Sequence, residues 1–531
     1  MLAIIKSMSL RGLDGYIIDV QVDVSNGIPS WEVVGLPDIS IKESKERVRT
    51  AIKNSNYELY SKRIVINLAP ADIKKEGSFF DLPIAIGVLI SSGQLKLNKI
   101  QKEFLENTVI IGELSLDGKI NGVNGILAVC IEAKRLGIQK IIIPNSNLKE
   151  ASIVCGIEIY GANNLNEIIE YIIGKTQLET CITEWKKSTK TTIDNSVNFS
   201  DVKGQNRAKR ALEISAAGGH NCLLIGSPGS GKTMLARRIA TILPDLTFDE
   251  ALEITKIHSI SGQLKAEEPI ITERPFRSPH HTISPIALIG GGSNPKPGEV
   301  SLAHYGVLFL DELTEFKRGT LEVMRGPLED KYISISRVNA SLTYPCKFML
   351  IASMNPCPCG YYGSPNKECT CTEDSIQKYI GKISGPLLDR IDIQIEVMPV
   401  EYKKLNEDKP ESSEVIKARV NKARNKQLLR YKNEQIYSNS ELTPKLIEKY
   451  CNIDNQSKHI LEMAFNRLGL SARAYTRILK VARTIADLAD SENIESTHIA
   501  EAIQYRSLDR KYFKGNWNIY WKNKTIYSKK V

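Results

Sequence analysis

The sequence predicts an α/β protein that ends in a helical region, on three observations. In the N-terminal third, short β-rich runs at residues 16–24, 63–68, 108–112 and 140–144 alternate with amphipathic stretches at 41–54 and 125–136, the pattern of strands covered by helices. Further on, the apolar run 222–225 leads into a glycine-rich turn and then into the helical pattern 234–240. Residues 411–507 hold helical periodicity with few glycines and no strand-like run.

These changes of character set the expected boundaries. Residues 1–173 read as one α/β domain, and 174–198, polar and rich in Lys and Thr, as a linker. Residues 199–400 read as a second α/β region, 401–510 as a helical domain and 511–531 as a basic, aromatic tail. A length of 531 residues suits roughly two to four domains. A hydrophobic fraction of 42% with 25% charged residues is that of an ordinary soluble protein. No apolar run approaches the roughly 18 residues that a membrane-spanning helix needs. The first residues lack the apolar core and cleavage site of a signal peptide. A cytoplasmic protein with no membrane partner is therefore expected. The net charge of +10 fits a nucleic-acid partner. It fits a lysine-rich genome bias almost as well.

Gly226, Ser227, Pro228, Gly229, Ser230, Gly231, Lys232 and Thr233 match G-x-x-x-x-G-K-T, with Met234 opening the helix that follows. Glycines at this spacing let backbone N–H groups converge on phosphates, and the helix start adds a favourable dipole. Lys232 is expected to reach the β- and γ-phosphates of ATP, and Thr233 to hold Mg²⁺. The run 306–310 ends in Asp311 and Glu312, 79 positions after Lys232. Asp311 would support Mg²⁺ and Glu312 would polarise the attacking water.

With both motifs in view, the chain to about residue 510 resembles the YifB/ComM family of magnesium-chelatase-like AAA+ proteins. The residues that carry the resemblance are Phe276-Arg-Ser-Pro-His-His-Thr, the stretch from Gly290 to His304, Ser353-Met-Asn-Pro-Cys-Pro-Cys-Gly, Ser384-Gly-Pro-Leu-Leu-Asp-Arg-Ile-Asp, and the stretch from Leu470 to Leu488. It implies an AAA+ core with a helical lid. Asn355, after an apolar run, resembles the sensor 1 amide. Arg390 resembles the arginine finger that enters a neighbour's site. Arg473 resembles the sensor 2 arginine of the lid, with Arg477 one turn on as the other candidate. A finger acting in trans implies a ring, by the family's habit a homo-hexamer.

Residues 332–344 alternate like two strands around a turn, where related helicases carry a pore hairpin; Arg337 falls near its tip. A plain structural hairpin is the other reading. His280 and His281, flanked by Pro279 and Thr282, read as nucleotide-side or pore-loop residues rather than metal ligands.

The N-terminal stretches 111–119 and 134–144 resemble the Lon protease proteolytic domain. That resemblance implies a Ser nucleophile near residues 79–83 and a Lys base at position 127. Position 127 is Leu, and Ser78 is only a nearby hydroxyl. A leucine cannot take a proton, so the domain reads as a degenerate Lon-like fold kept for assembly or DNA contact.

Of ten cysteines, Cys357, Cys359, Cys369 and Cys371 fall within 15 residues as two C-x-C pairs. Four thiolates suit tetrahedral Zn²⁺. Reduced free thiols and a redox switch are the alternatives. Residues 511–531 carry six lysines, six aromatics and no acid. They read either as a grip on single-stranded DNA or as a segment docked through its aromatics.

The sum is an ATP-driven ring motor whose ATP chemistry follows from the motifs. The resemblance implies branched or single-stranded DNA as substrate, branch migration as activity, and recombination or natural transformation as setting, with recombination proteins as partners. The alternatives are a chelatase-like motor that remodels a protein or metal-insertion partner, and an ATP-dependent protease or chaperone.

Overall fold

The computed structural model describes residues 2–59, 62–75, 77–181, 197–265, 269–292, 295–337, 340–365, 367–400, 410–434, 436–508 and 512–513. Most of the expected linker, and the tail beyond Phe513, lie outside the described residues. The chain forms two compact units, Met1–Thr189 with Phe248–Thr272, and Lys190–Thr247 with Glu273–Val531.

The strands of the first unit are β1 (Leu2–Arg11), β2 (Asp14–Ser25), β3 (Ser30–Val34), β4 (Arg63–Ala69), β5 (Thr108–Ile110), β6 (Glu113–Leu114), β7 (Ile120–Asn121), β8 (Lys140–Pro144), β9 (Glu158–Ala162) and β10 (Glu179–Thr180). All but β6 and β7 form one mixed sheet in the order β10-β9-β8-β5-β1-β2-β4-β3. In β2 the side chains of Ile18, Val20, Val22 and Val24 are buried while those between them are partly open, the period-2 pattern of a strand. The helix Asp81–Ser91 is buried all round and lies on β1 and β2. Gly87 permits that approach, because a Cβ there would stand 2.6 Å from Val22 Cγ2. The helix Ile126–Arg135 belongs to a second core cluster with Met8, Val109 and Ile141. The sheet therefore separates two apolar cores.

Phe248–Ser261 is a helix of this same unit, although in sequence it interrupts the second α/β region. Leu252 packs against the second core cluster. Lys256 lies 3.7 Å from Glu132, and Ser259 donates to Glu150.

The second unit is built on β11 (Cys222–Ile225), β12 (Phe276–Arg277), β15 (Val307–Leu310), β18 (Met349–Met354) and β19 (Ile393–Glu396). These form a parallel sheet in the order β12-β15-β18-β11-β19. β11, β15 and β18 are apolar and buried throughout, as a parallel sheet covered on both faces requires. Two short pairs accompany it, β13 (Gly290–Gly291) with β14 (Lys296–Pro297), and the hairpin β16 (Tyr332–Arg337) with β17 (Ala340–Pro345). The hairpin takes the two-strand form that residues 332–344 suggested; the Arg337 side chain lies outside what is described.

The helices Ser413–Arg430, Ala472–Leu488 and Ser496–Gln504 share one apolar core with the sheet, running from Phe199 to Tyr505. Arg430 bonds both carboxylate oxygens of fully buried Asp487, at 3.0 and 2.5 Å. Among the described residues no helix is long and apolar enough to cross a membrane.

Candidate functional site

β11 changes into the loop 226–231 at the C-terminal edge of the parallel sheet, where open α/β sheets hold ligands. The sequence produces the turn through its glycines. Gly229 and Gly231 sit at φ of +76° and +92°, a region that side chains with a Cβ rarely enter. The helix Lys232–Arg238 starts directly behind the loop.

Lys232 Nζ donates to Gly226 O at 2.8 Å, Ser227 O at 2.9 Å and Asn355 Oδ1 at 3.1 Å. One ammonium thus ties the loop to the residue that follows β18. Burial pushes the Lys232 pKa below its ordinary value, against the pull of Asp311 and Glu312. Thr233 Oγ1 donates to Asp311 Oδ2 at 2.8 Å. The other oxygen, Oδ1, accepts from the Ser353 hydroxyl and from Glu312 N at 3.1 Å. Asp311 is therefore held on both sides, with Thr233 placed to share a cation with it. Glu312 adopts φ +53° and ψ +53°, a left-handed conformation uncommon for a residue with a side chain. Its side chain is 59% exposed, with His281 Nδ1 3.9 Å from the carboxylate.

Ser353 and His281 were not singled out from sequence as partners of the acidic pair. Strand alternation offers a signal for Ser353: it stands two positions before Asn355, on the same side of the chain. For His281 the signal was the Phe276-to-Thr282 motif. The side of the sheet it serves follows from β12 pairing with β15.

Arg390 donates to Pro386 O at 2.7 Å and forms an ion pair with Glu329. Its pKa is lowered first by burial and then by Arg325, Arg473 and Arg477. Arg473 is 3.4 Å from Asp389, with its side chain 62% exposed. Arg477 is 3.4 Å from Asp392. Arg390, Arg473 and Arg477 lie close enough to act on one another electrostatically, and each stands beside an acid: Glu329, Asp389 and Asp392 in turn.

Cys357, Cys359, Cys369 and Cys371 converge so that their sulfurs all lie within 4.8 Å of one another. Cys357 Sγ is 3.3 Å from Cys359 Sγ and 3.6 Å from Cys369 Sγ. Zn–S bonds of about 2.3 Å at tetrahedral angles place sulfurs roughly 3.8 Å apart, so the four donors fit Zn²⁺ in number, type and spacing. Cys357 Sγ accepts from Tyr362 N at 3.3 Å and Cys371 Sγ from Cys359 N at 3.4 Å.

In the first unit, Leu127 is fully buried, with its N–H on Glu150 Oε1 at 3.0 Å. The Ser78 hydroxyl donates to Glu113, and buried Lys75 donates to Pro70 O. At the place expected for a nucleophile, Asp81 is paired with Arg47 at 2.6 Å. Burial pushes the Asp81 carboxyl up to about 6 despite that partner.

Three family models match the chain. One described as magnesium chelatase, subunit ChlI, covers residues 198–405. Another, subunit ChlI of Mg-chelatase, covers 20–147, and a third, the subunit ChlI C-terminal, covers 410–506. The uncharacterized protein YifB of Escherichia coli (strain K12) is 43% identical over 96% of this chain and 98% of its own. Competence protein ComM of Haemophilus influenzae is 42% identical over the same shares. The magnesium-chelatase 67 kDa subunit of Chlorobaculum tepidum is 26% identical over 38% of this chain and 27% of its own. The parallel sheet, its phosphate-loop motif and these matches define a P-loop ATPase motor of the AAA+ type. The chain belongs to the YifB/ComM family of magnesium-chelatase-like AAA+ proteins.

Proposed function

We propose that this protein hydrolyses ATP as a ring of identical subunits, a hexamer by family resemblance, and moves branched or single-stranded DNA in recombination or natural transformation. The observation that carries the ATP chemistry is the joint seating of Lys232 with Asn355 and of Thr233 with Asp311 around one glycine-rich loop. Lys232 and the loop amides bind the phosphates, with residues 226–234 as the cradle. Thr233 and Asp311 hold Mg²⁺, which neutralises charge on the transferred phosphoryl group. Asn355 orients the attacking water, and Glu312 accepts its proton. Arg390 serves as the finger in the neighbouring subunit's site, and Arg473, on the helix Ala472–Leu488, serves as the sensor 2 arginine of the lid, with Arg477 as the other candidate. The four cysteines hold one Zn²⁺. The first unit is a degenerate Lon-like domain without proteolytic activity, a reading supported by Leu127 at the place of the base.

DNA as substrate is supported by the net charge of +10, the β16–β17 hairpin before Asn355 and the relative named competence protein ComM. The test is the ATPase rate with and without single-stranded, double-stranded and four-way-junction DNA. Faster turnover with the junction or the single strand is expected, together with strand displacement. Equal rates in all four conditions and no displacement would remove the DNA reading, and stimulation by a protein partner instead would favour a chelatase-like motor.

The tail has two parts. Tyr512 and Phe513 are buried, and the Tyr512 hydroxyl donates to Glu396 Oε1 at 2.7 Å. Residues 514–531 hold five lysines and four aromatics. Deleting 514–531 is expected to weaken DNA binding and flatten its salt dependence, with Tm unchanged. Phe513→Ala is expected to lower stability by about 3–5 kcal/mol and to spare the salt slope. DNA titrations at several salt concentrations, paired with thermal melts, check both; an unchanged salt slope in the deletion would end the grip assignment.

A further inference from the structure

The cysteine cluster stands against the nucleotide loop, and its contacts reach that loop from three directions. Asn355, which bonds Lys232, stands two positions before Cys357, so one short backbone segment carries both the amide and the first thiol. Gly360, at φ +83°, presses on the phosphate loop: a Cβ there would meet Pro228 Cδ at 2.5 Å and Cγ at 2.7 Å. Tyr362, whose N–H donates to Cys357 Sγ, meets the Tyr512 ring edge-on at 6.2 Å. Tyr512 in turn bonds Glu396, which is paired in register with Ile225, the last residue of β11 before the loop.

We propose that the Cys357, Cys359, Cys369 and Cys371 site is a zinc-held splint for the nucleotide pocket, fixing Asn355 and Pro228 in their working positions so that turnover depends on the metal. The proposal rests on the reading that these thiols hold Zn²⁺, and adds that the metal acts on ATP hydrolysis at a distance. The physical reason lies in the loop itself. Residues 355–371 contain no described helix or strand, so backbone ladders do not set their shape. Four thiols that release their protons to solvent and close on one divalent ion replace that missing framework. A displacement of the order of 1 Å in groups that position the reacting atoms costs up to about 100-fold in rate.

The metal content and the ATPase are measured on the same protein, purified without chelator. About one zinc per chain is expected, and replacement by Co²⁺ should give thiolate-to-cobalt charge-transfer absorption. Protein stripped of zinc and returned to excess Mg²⁺ should turn over at least about tenfold more slowly, and Zn²⁺ should restore the rate where further Mg²⁺ does not. Far-UV circular dichroism of the stripped protein is expected to match the loaded one. Gly360→Ala provides a second arm that keeps all four cysteines: it should retain its zinc and lose turnover, because the added methyl drives the splint off Pro228. Absence of zinc and of the cobalt absorption would overturn the metal reading itself. A full zinc complement with unimpaired turnover in both stripped protein and Gly360→Ala would overturn the splint alone.

Discussion

Glu312→Gln should bind ATP about as well as the wild type and hydrolyse it at least about 100-fold more slowly, the usual scale of a lost general base. The substitution keeps the shape and hydrogen-bonding reach of the side chain and removes its ability to accept a proton. The Glu312 side chain is 59% exposed and faces His281 at 3.9 Å, and it acts on Lys232 through charge alone among the described contacts. Binding in the ground state should therefore be spared. Lys232→Ala should behave oppositely. Its ammonium bridges Gly226 O, Ser227 O and Asn355 Oδ1, so its loss should remove the proposed phosphate ligand and loosen the loop together, and ATP binding itself should fail. Titration with a fluorescent ATP analogue separates the two variants, and phosphate release gives the rates. A wild-type rate in Glu312→Gln would remove that residue from the base role.

What could be read from sequence is what local backbone chemistry dictates. A four-residue apolar strand, glycines where φ must be positive, and a helix start at Lys232 are requirements of one short segment, so they leave a local trace. β15 and β18 were legible for the same reason, as apolar runs ending in acids and in an amide. Other features depend on packing between distant segments, for which a local pattern carries no term. The helix Phe248–Ser261 has ordinary helical periodicity, and nothing in it tells that Leu252 packs in the first unit's core. Periodicity showed helices in 411–507, but not that they share one core with β11. The clasp of Ser353 on Asp311 joins residues 42 positions apart, and a serine on a buried strand is not distinctive by itself. The grouping of the arginines is of the same kind. Motifs suggested roles for Arg390 and Arg473 one at a time, and only the fold shows that they stand together.

Arg390 carries the second prediction. Arg390 is flanked by Arg325, Arg473 and Arg477, and its guanidinium pairs with Glu329 and Pro386 O. The residues around Lys232 are a different set, Asn355, Asp311 and Glu312. On the proposal that Arg390 is a finger acting in trans, it completes the active site of the next subunit across a head-to-tail ring interface. Arg390→Ala should therefore bind ATP normally and lose about 10³–10⁵-fold in hydrolysis, the range for a finger that neutralises transition-state charge. Lys232→Ala subunits should be inactive for the complementary reason, since they keep the arginine and lack a working loop. Mixed in equal amounts, the two inactive proteins should regain activity at about one interface in four, where a Lys232→Ala subunit presents Arg390 to an intact loop. Size-exclusion chromatography of the mixture verifies that the subunits co-assemble. Full activity of Arg390→Ala alone would show that the arginine does not act across the interface. Co-assembly without recovered activity would show that Arg390 serves its own chain, because a residue acting within one chain cannot be supplied by another.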